Sequence, residues 1–111
     1  MKSLQTILKN FGSGLAEVAP PCYHYRRMKD EAPYCVWQED REEMSFNANN
    51  RKREQQITGT VDYFTKTEYD SVIDDIQDYF DGLNDFGWRL SAVDYEDDTN
   101  LIHYEWEWWK L

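Results

Sequence analysis

The sequence is poor in the residues and motifs that most directly announce a chemistry. It holds two cysteines, Cys22 and Cys35, and two histidines, His24 and His103. Neither histidine belongs to a ligand-spacing motif, and the two with nearby acids could form a metal or acid–base site only if their strands were adjacent, so structural or surface histidines are the expectation. Two thiols in an intracellular chain are more often reduced core or surface residues than a disulfide. There is no Gly-rich phosphate loop, nucleophile elbow, HExxH or CxxC. We therefore assign no catalytic residue, no cofactor and no metal, and expect a protein that is not an enzyme. No apolar run approaches the roughly 18 residues of a membrane span, and "MKSLQTILKNFGSG" lacks the apolar block and cleavage site of a signal peptide. The expectation is a soluble chain with no membrane partner. Basic charge is scarce as well: 12 Lys and Arg stand against 22 Asp and Glu, a net charge of −10. Such a surface repels phosphate, which disfavours sequence-independent binding of nucleic acid.

What the chain does have is aromatic surface. Aromatics make up 16% of its 111 residues and hydrophobic residues 41%, too much for a disordered chain and suited to one domain over residues 1–111. Three of the five tryptophans, Trp106, Trp108 and Trp109, fall in the last six residues. Indole left in water is unfavourable, so this end is expected to be structured. The acid is also concentrated late. Residues 67–111 carry 13 acidic side chains against Arg89 and Lys110 alone. The exception to the acidic trend is "NANNRKRE", where Arg51, Lys52 and Arg53 form a basic loop tip, either solvated or a docking contact.

Periodicity orders the elements. Leu4, Ile7, Leu8 and Phe11 predict a short N-terminal helix with Ser3 as cap and Gly12 and Gly14 ending it. "GLAEVAPP" reads as a loop. "CYHYRRMK" and "YCVWQED" alternate as two strands joined by the turn "DEAP", a plausible hairpin. In "REQQITGTVDYFTK", Ile57, Gly59, Val61 and Tyr63 share one face, and Gly59 hints at a bulge or close neighbour. Tyr69, Val72, Ile73, Ile76, Tyr79, Phe80 and Leu83 form one apolar stripe and predict a long amphipathic helix. It is capped by Thr65 with Glu68 or by Thr67 with Asp70, and ended by Gly82 or Gly87. "WRLSAVDYE", the turn "DDTN" and "LIHYEWEWWKL" form a last hairpin. In its second strand Ile102, Tyr104, Trp106 and Trp108 face the helix while Leu101, His103, Glu105, Glu107 and Trp109 face away. The fold class that results is α+β: an antiparallel sheet of four to five strands, one long amphipathic helix packed on a face, and a short N-terminal helix. The other sheet face is expected to be partly exposed unless a partner covers it.

The succession "YHYRRMKDEAPYCVWQED", "REQQITGTVDYFTKTEYDSVIDDIQDYFD" and "GWRLSAVDYEDDTNLIHYEW" resembles the small neck and tail-completion (tail terminator) proteins of long-tailed phages and prophages of Gram-positive bacteria. The resemblance spans roughly residues 1–110 and is architectural. It implies a structural virion-assembly protein that forms a ring, hexameric by family resemblance, at the head-proximal end of the tail. Such a ring halts tube growth and joins the tail tube protein to the head connector, with DNA passing through but not specifically bound. The location it implies is the host cytoplasm during assembly and then the virion neck. The family has no catalytic residues to carry over.

Two sets of residues are candidates for that role. A ring needs two different patches on each subunit, and Trp109 with Leu111 and the Arg51, Lys52, Arg53 tip are the expected interface. Asp74, Asp75, Asp78, Asp81, Glu96, Asp97 and Asp98 are the expected channel-lining acid, which would keep phosphates off a lumen wall. Oxygen ligands crowd residues 96–100 too, but without the spacing of a calcium loop. The alternative reading is a small acidic inhibitor or immunity-like protein that covers a basic site on a nucleic-acid enzyme by mimicking phosphate charge.

Overall fold

The computed structural model describes residues 3–43 and 55–111. Its elements in chain order are α1 (Leu4–Val18), β1 (Cys22–His24), β2 (Tyr34–Glu42), β3 (Ile57–Thr65), α2 (Val72–Asp81), β4 (Phe86–Glu96) and β5 (Leu101–Lys110). The five strands form one sheet in the order β1-β2-β3-β5-β4. The class is α+β, as the periodicity predicts, but three details differ.

First, the longer helix is the N-terminal one. α1 runs for 15 residues, with the Ser3 side chain accepting from the Thr6 amide, and buries Leu8, Phe11 and Leu15. Gly12 and Gly14 do not end it. A Cβ on Gly12 would lie 2.4 Å from the Trp37 ring, and one on Gly14 2.6 Å from Tyr79, so both glycines let aromatic rings lie against the helix backbone. The stop comes at Ala19, before two prolines that cannot continue the helix.

Second, α2 is only 10 residues long. Its stripe is predicted to begin at Tyr69, but Tyr69 adopts a left-handed φ of 61° and is 91% exposed. Asp70 supplies the start instead: its carboxylate accepts from the Val72 amide at 2.9 Å, the Thr65 hydroxyl at 2.7 Å and the Tyr63 hydroxyl at 2.8 Å. This fixes the first turn of α2 to the end of β3. Gly82 forms the other end.

Third, the sheet is mixed. β1 has three residues and pairs in parallel with β2, setting Cys22 beside Cys35, in place of the predicted hairpin. Tyr25, at φ 76°, turns the chain out of β1, and residues 25–33 carry it back to the end of the sheet from which β1 started. Both thiols are free, and the Cys22 thiol together with burial pushes the Cys35 thiol well up. All other neighbours, β2–β3, β3–β5 and β4–β5, are antiparallel.

The core lies between the helices and one sheet face. Phe11 sits at its centre, with ring centroids 4.7 Å from Trp108, 5.3 Å from Trp37 and 5.5 Å from Phe86. Trp106 and Trp108 are fully buried, so two of the three terminal tryptophans are core residues, each contributing on the order of 2–3 kcal/mol. Gly59 makes room for one of them. A Cβ there would meet Trp108 at 2.3 Å and the Gln38 carbonyl at 2.2 Å. The opposite face is half-covered, and Tyr34 and Leu101 are buried on it. Among the described residues no helix is long and apolar enough to cross a membrane.

Candidate assembly surface

β4 is an edge strand of 11 residues, and α2, which packs against it, has 10. At about 3.3 Å per strand residue and 1.5 Å per helix residue, the strand runs to more than twice the helix length. Trp88 lies under the helix, its ring 5.7 Å from Phe80 and its indole nitrogen donating to Asp81 at 2.9 Å. Beyond it the sheet is uncovered, and Leu90, Val93 and Tyr95 are 43%, 49% and 59% exposed.

These three share a face because of a bulge. Leu90 pairs with Trp106 and Ala92 with Glu105, so Ser91 is the extra residue. From there Val93 stands opposite Tyr104 and Tyr95 opposite Ile102, on the helix-side face, while Asp94 stands opposite His103 on the other. The Ser91 hydroxyl donates to the Glu105 carbonyl and lies 2.9 Å from its carboxylate. A long edge strand with unpaired backbone groups and an apolar row is a surface that natural proteins cover or use for pairing.

The predicted interface residues are placed differently from one another. Trp109 lies on the far face across Gly87, with its indole atoms 2.1 to 2.6 Å from where a Cβ would be, and is half-buried by its own sheet. Leu111 is exposed, donates its amide to the Asp85 carbonyl, and rims a cleft of about 450 Å³ between α1 and the start of β4, lined also by Ile7, Phe11, Leu83 and Trp108. Arg51, Lys52 and Arg53 lie outside the described residues. Of the acid set, Asp74, Asp75, Asp78 and Asp81 are exposed on α2, and Asp97 and Asp98 are exposed in the β4–β5 turn. Glu96 stands apart from the helix group, with its carboxylate 3.7 Å from His103 on the other sheet face.

Each histidine has a carboxylate. His24 is stacked between Tyr25 and Trp37, both at 3.8 Å, and bonds Glu39 at 2.7 Å. Burial pushes the Glu39 carboxyl up, but hydrogen bonds from His24, its own backbone and Tyr25 outweigh it and hold the group below the usual range. His103 bonds Asp62 at 2.7 Å, and that bond raises the imidazole pKa against the opposing effect of burial.

Sequence reasoning assigned the last hairpin correctly but passed over Leu90, Val93 and Tyr95 as a surface. The signal was present in "WRLSAVDYE", where the apolar alternation of Trp88 and Leu90 changes phase at Val93 and Tyr95. Comparison with protein-family models finds no match for this chain, and comparison with curated proteins finds none.

Proposed function

We propose that this protein is a structural assembly protein that acts through contacts between its own copies, and that its setting is the head–tail junction of a tailed phage or prophage. The observation that carries the reading is the open β4 edge with the uncovered row of Leu90, Val93 and Tyr95. A ring contact joins two different patches, and an exposed strand edge with an apolar row suits one of them. The resemblance of the strand and helix succession to neck and tail-completion proteins supplies the setting, with the tail tube protein and the head connector as partners. The exposed carboxylates of α2 and of the β4–β5 turn fit a surface past which DNA moves without adhering.

The test is deletion of the gene in the phage or prophage that carries it, followed by electron microscopy of the lysate. Filled heads beside unattached tails of abnormal length are expected, and complementation with L90S/V93S/Y95S is expected to fail. Normal infectious particles after deletion would overturn the proposal. The exposed row of Asp74, Asp75, Asp78 and Asp81 would then favour the acidic-inhibitor reading, whose mark is salt-sensitive binding to a basic enzyme.

A further inference from the structure

Asp62 on β3 stands directly opposite Glu105 on β5. Like charges in that position destabilise a sheet unless a cation lies between them. His103, two residues from Glu105 and therefore on the same face, reaches Asp62 with Nε2 at 2.7 Å. One donor atom from each of Asp62, His103 and Glu105 lies within 4.8 Å of the others. A further carboxylate, Asp94, is opposite His103 in register on β4, and Arg27, from the loop before β2, bonds Asp30 and Tyr34. One imidazole thus stands among four carboxylates from three strands.

Two of the three side chains, Glu105 and His103, are also oriented by neighbours outside the trio. The Ser91 hydroxyl sits 2.9 Å from the Glu105 carboxylate. Phe64 stacks on the His103 ring at 4.1 Å and fixes its plane. Glu96 faces the other ring nitrogen, Nδ1, at 3.7 Å. A histidine with a carboxylate on the nitrogen remote from a ligand group is the arrangement that orients metal-binding imidazoles. We propose that Asp62, His103 and Glu105 bind one divalent transition-metal ion, with His103 Nε2 as the nitrogen ligand and Glu96 and Ser91 positioning the ligands.

The spacing is compatible with this. Ligands about 2.0–2.2 Å from a tetrahedral ion are on the order of 3.3 Å apart, so His103 and Asp62 must open slightly and Glu105 close by a rotamer adjustment. The three side chains are half-buried, which leaves further coordination positions to water. One nitrogen with carboxylate oxygens and no thiolate selects an ion such as Zn²⁺ or Mn²⁺ over copper(I) or an iron–sulfur cluster. No spacing along the chain signals this site, because residues 62, 103 and 105 are brought together only by strand register.

The test uses the whole chain freed of metal by a chelator. Calorimetric titration with Zn²⁺ is expected to show one saturable site. H103Q is expected to weaken it at least tenfold and S91A several-fold, while D97N/D98N in the neighbouring turn leaves it unchanged. Titration of the wild-type protein with Mn²⁺, followed by NMR, makes the result independent of any variant's folding. The His103 ring signals and the amides of Asp62 and Glu105 should broaden before those of residues 97–100. The proposal is overturned if neither ion binds saturably, if D97N/D98N abolishes binding that H103Q retains, or if broadening begins at residues 97–100.

Discussion

Replacing Asp70 with alanine removes one carboxylate and three hydrogen bonds at once. Two of the donors, the hydroxyls of Tyr63 and Thr65, belong to residues that are 1% exposed, and the third is the Val72 amide at the start of α2. A buried hydroxyl that loses its acceptor costs about 1–3 kcal/mol, and a lost helix cap about 1 kcal/mol. Because the three share one carboxylate the losses are not fully additive, and about 3–5 kcal/mol is expected for Asp70→Ala. A domain of this size has a stability of roughly 5–15 kcal/mol, so this is a large share of it. Asp70→Asn keeps one acceptor oxygen and should lose about half as much. Burial alone would raise the Asp70 carboxyl, but the bonds from Val72, Thr65 and Tyr63 outweigh it and lower its pKa from 3.8. Its contribution is therefore complete above that unfolded value and fades as pH falls through the lower folded one. Urea unfolding followed by tryptophan fluorescence, at neutral pH and along the acid limb, measures both effects. An Asp70→Ala variant within about 1 kcal/mol of the wild type would refute the reasoning, because it would mean that Tyr63 and Thr65 find other acceptors.

Two other substitutions separate packing from hydrogen bonding. Gly59→Ala places a Cβ 2.2 Å from the Gln38 carbonyl and 2.3 Å from Trp108; a loss of about 3 kcal/mol is expected, at the upper end for overpacking because one clash is with backbone, and denaturant unfolding within 1 kcal/mol of wild type would contradict it. The Trp106 indole donates to Gln77 at 3.1 Å, whereas the buried indole nitrogen of Trp108 has no partner among the described residues. Trp106→Phe should therefore cost about 1 kcal/mol more than Trp108→Phe in the same assay, and the reverse order would show that the Trp108 nitrogen is satisfied.

Strand alternation made much of this legible. The faces of β3 and β5 follow from period two alone, and Trp106 and Trp108 fall in the core as that pattern requires. The α2 stripe was equally plain from Val72 onward. The helix ends were less so, since Gly12 and Gly14 look like stops in sequence but serve as contact surfaces for Trp37 and Tyr79. Tyr69 fits the stripe numerically, yet the Asp70 carboxylate captures the Val72 amide and starts the helix later. The parallel β1 could not be read because its direction depends on the path of residues 25–33, which no periodicity records. The cluster around His103 was hidden for a related reason: its members come from three strands, and each looks like an ordinary surface residue beside its own neighbours.

The extra residue at Ser91 acts as a parity switch in the edge strand. Every side chain before it keeps the phase set by Trp88, and every side chain after it is inverted relative to a regular strand. If the strand paired through Ser91 without the bulge, every later residue would change sides: Val93 and Tyr95 would join the carboxylate side, opposite His103 and Leu101, and Asp94 would stand opposite Ile102. Removing Ser91 itself would instead leave the pairs from Ala92 onward and their faces as they are. The unpaired residue thus sets two surfaces together, because the bulge that turns Val93 and Tyr95 toward the helix side also turns Asp94 and Glu96 toward His103.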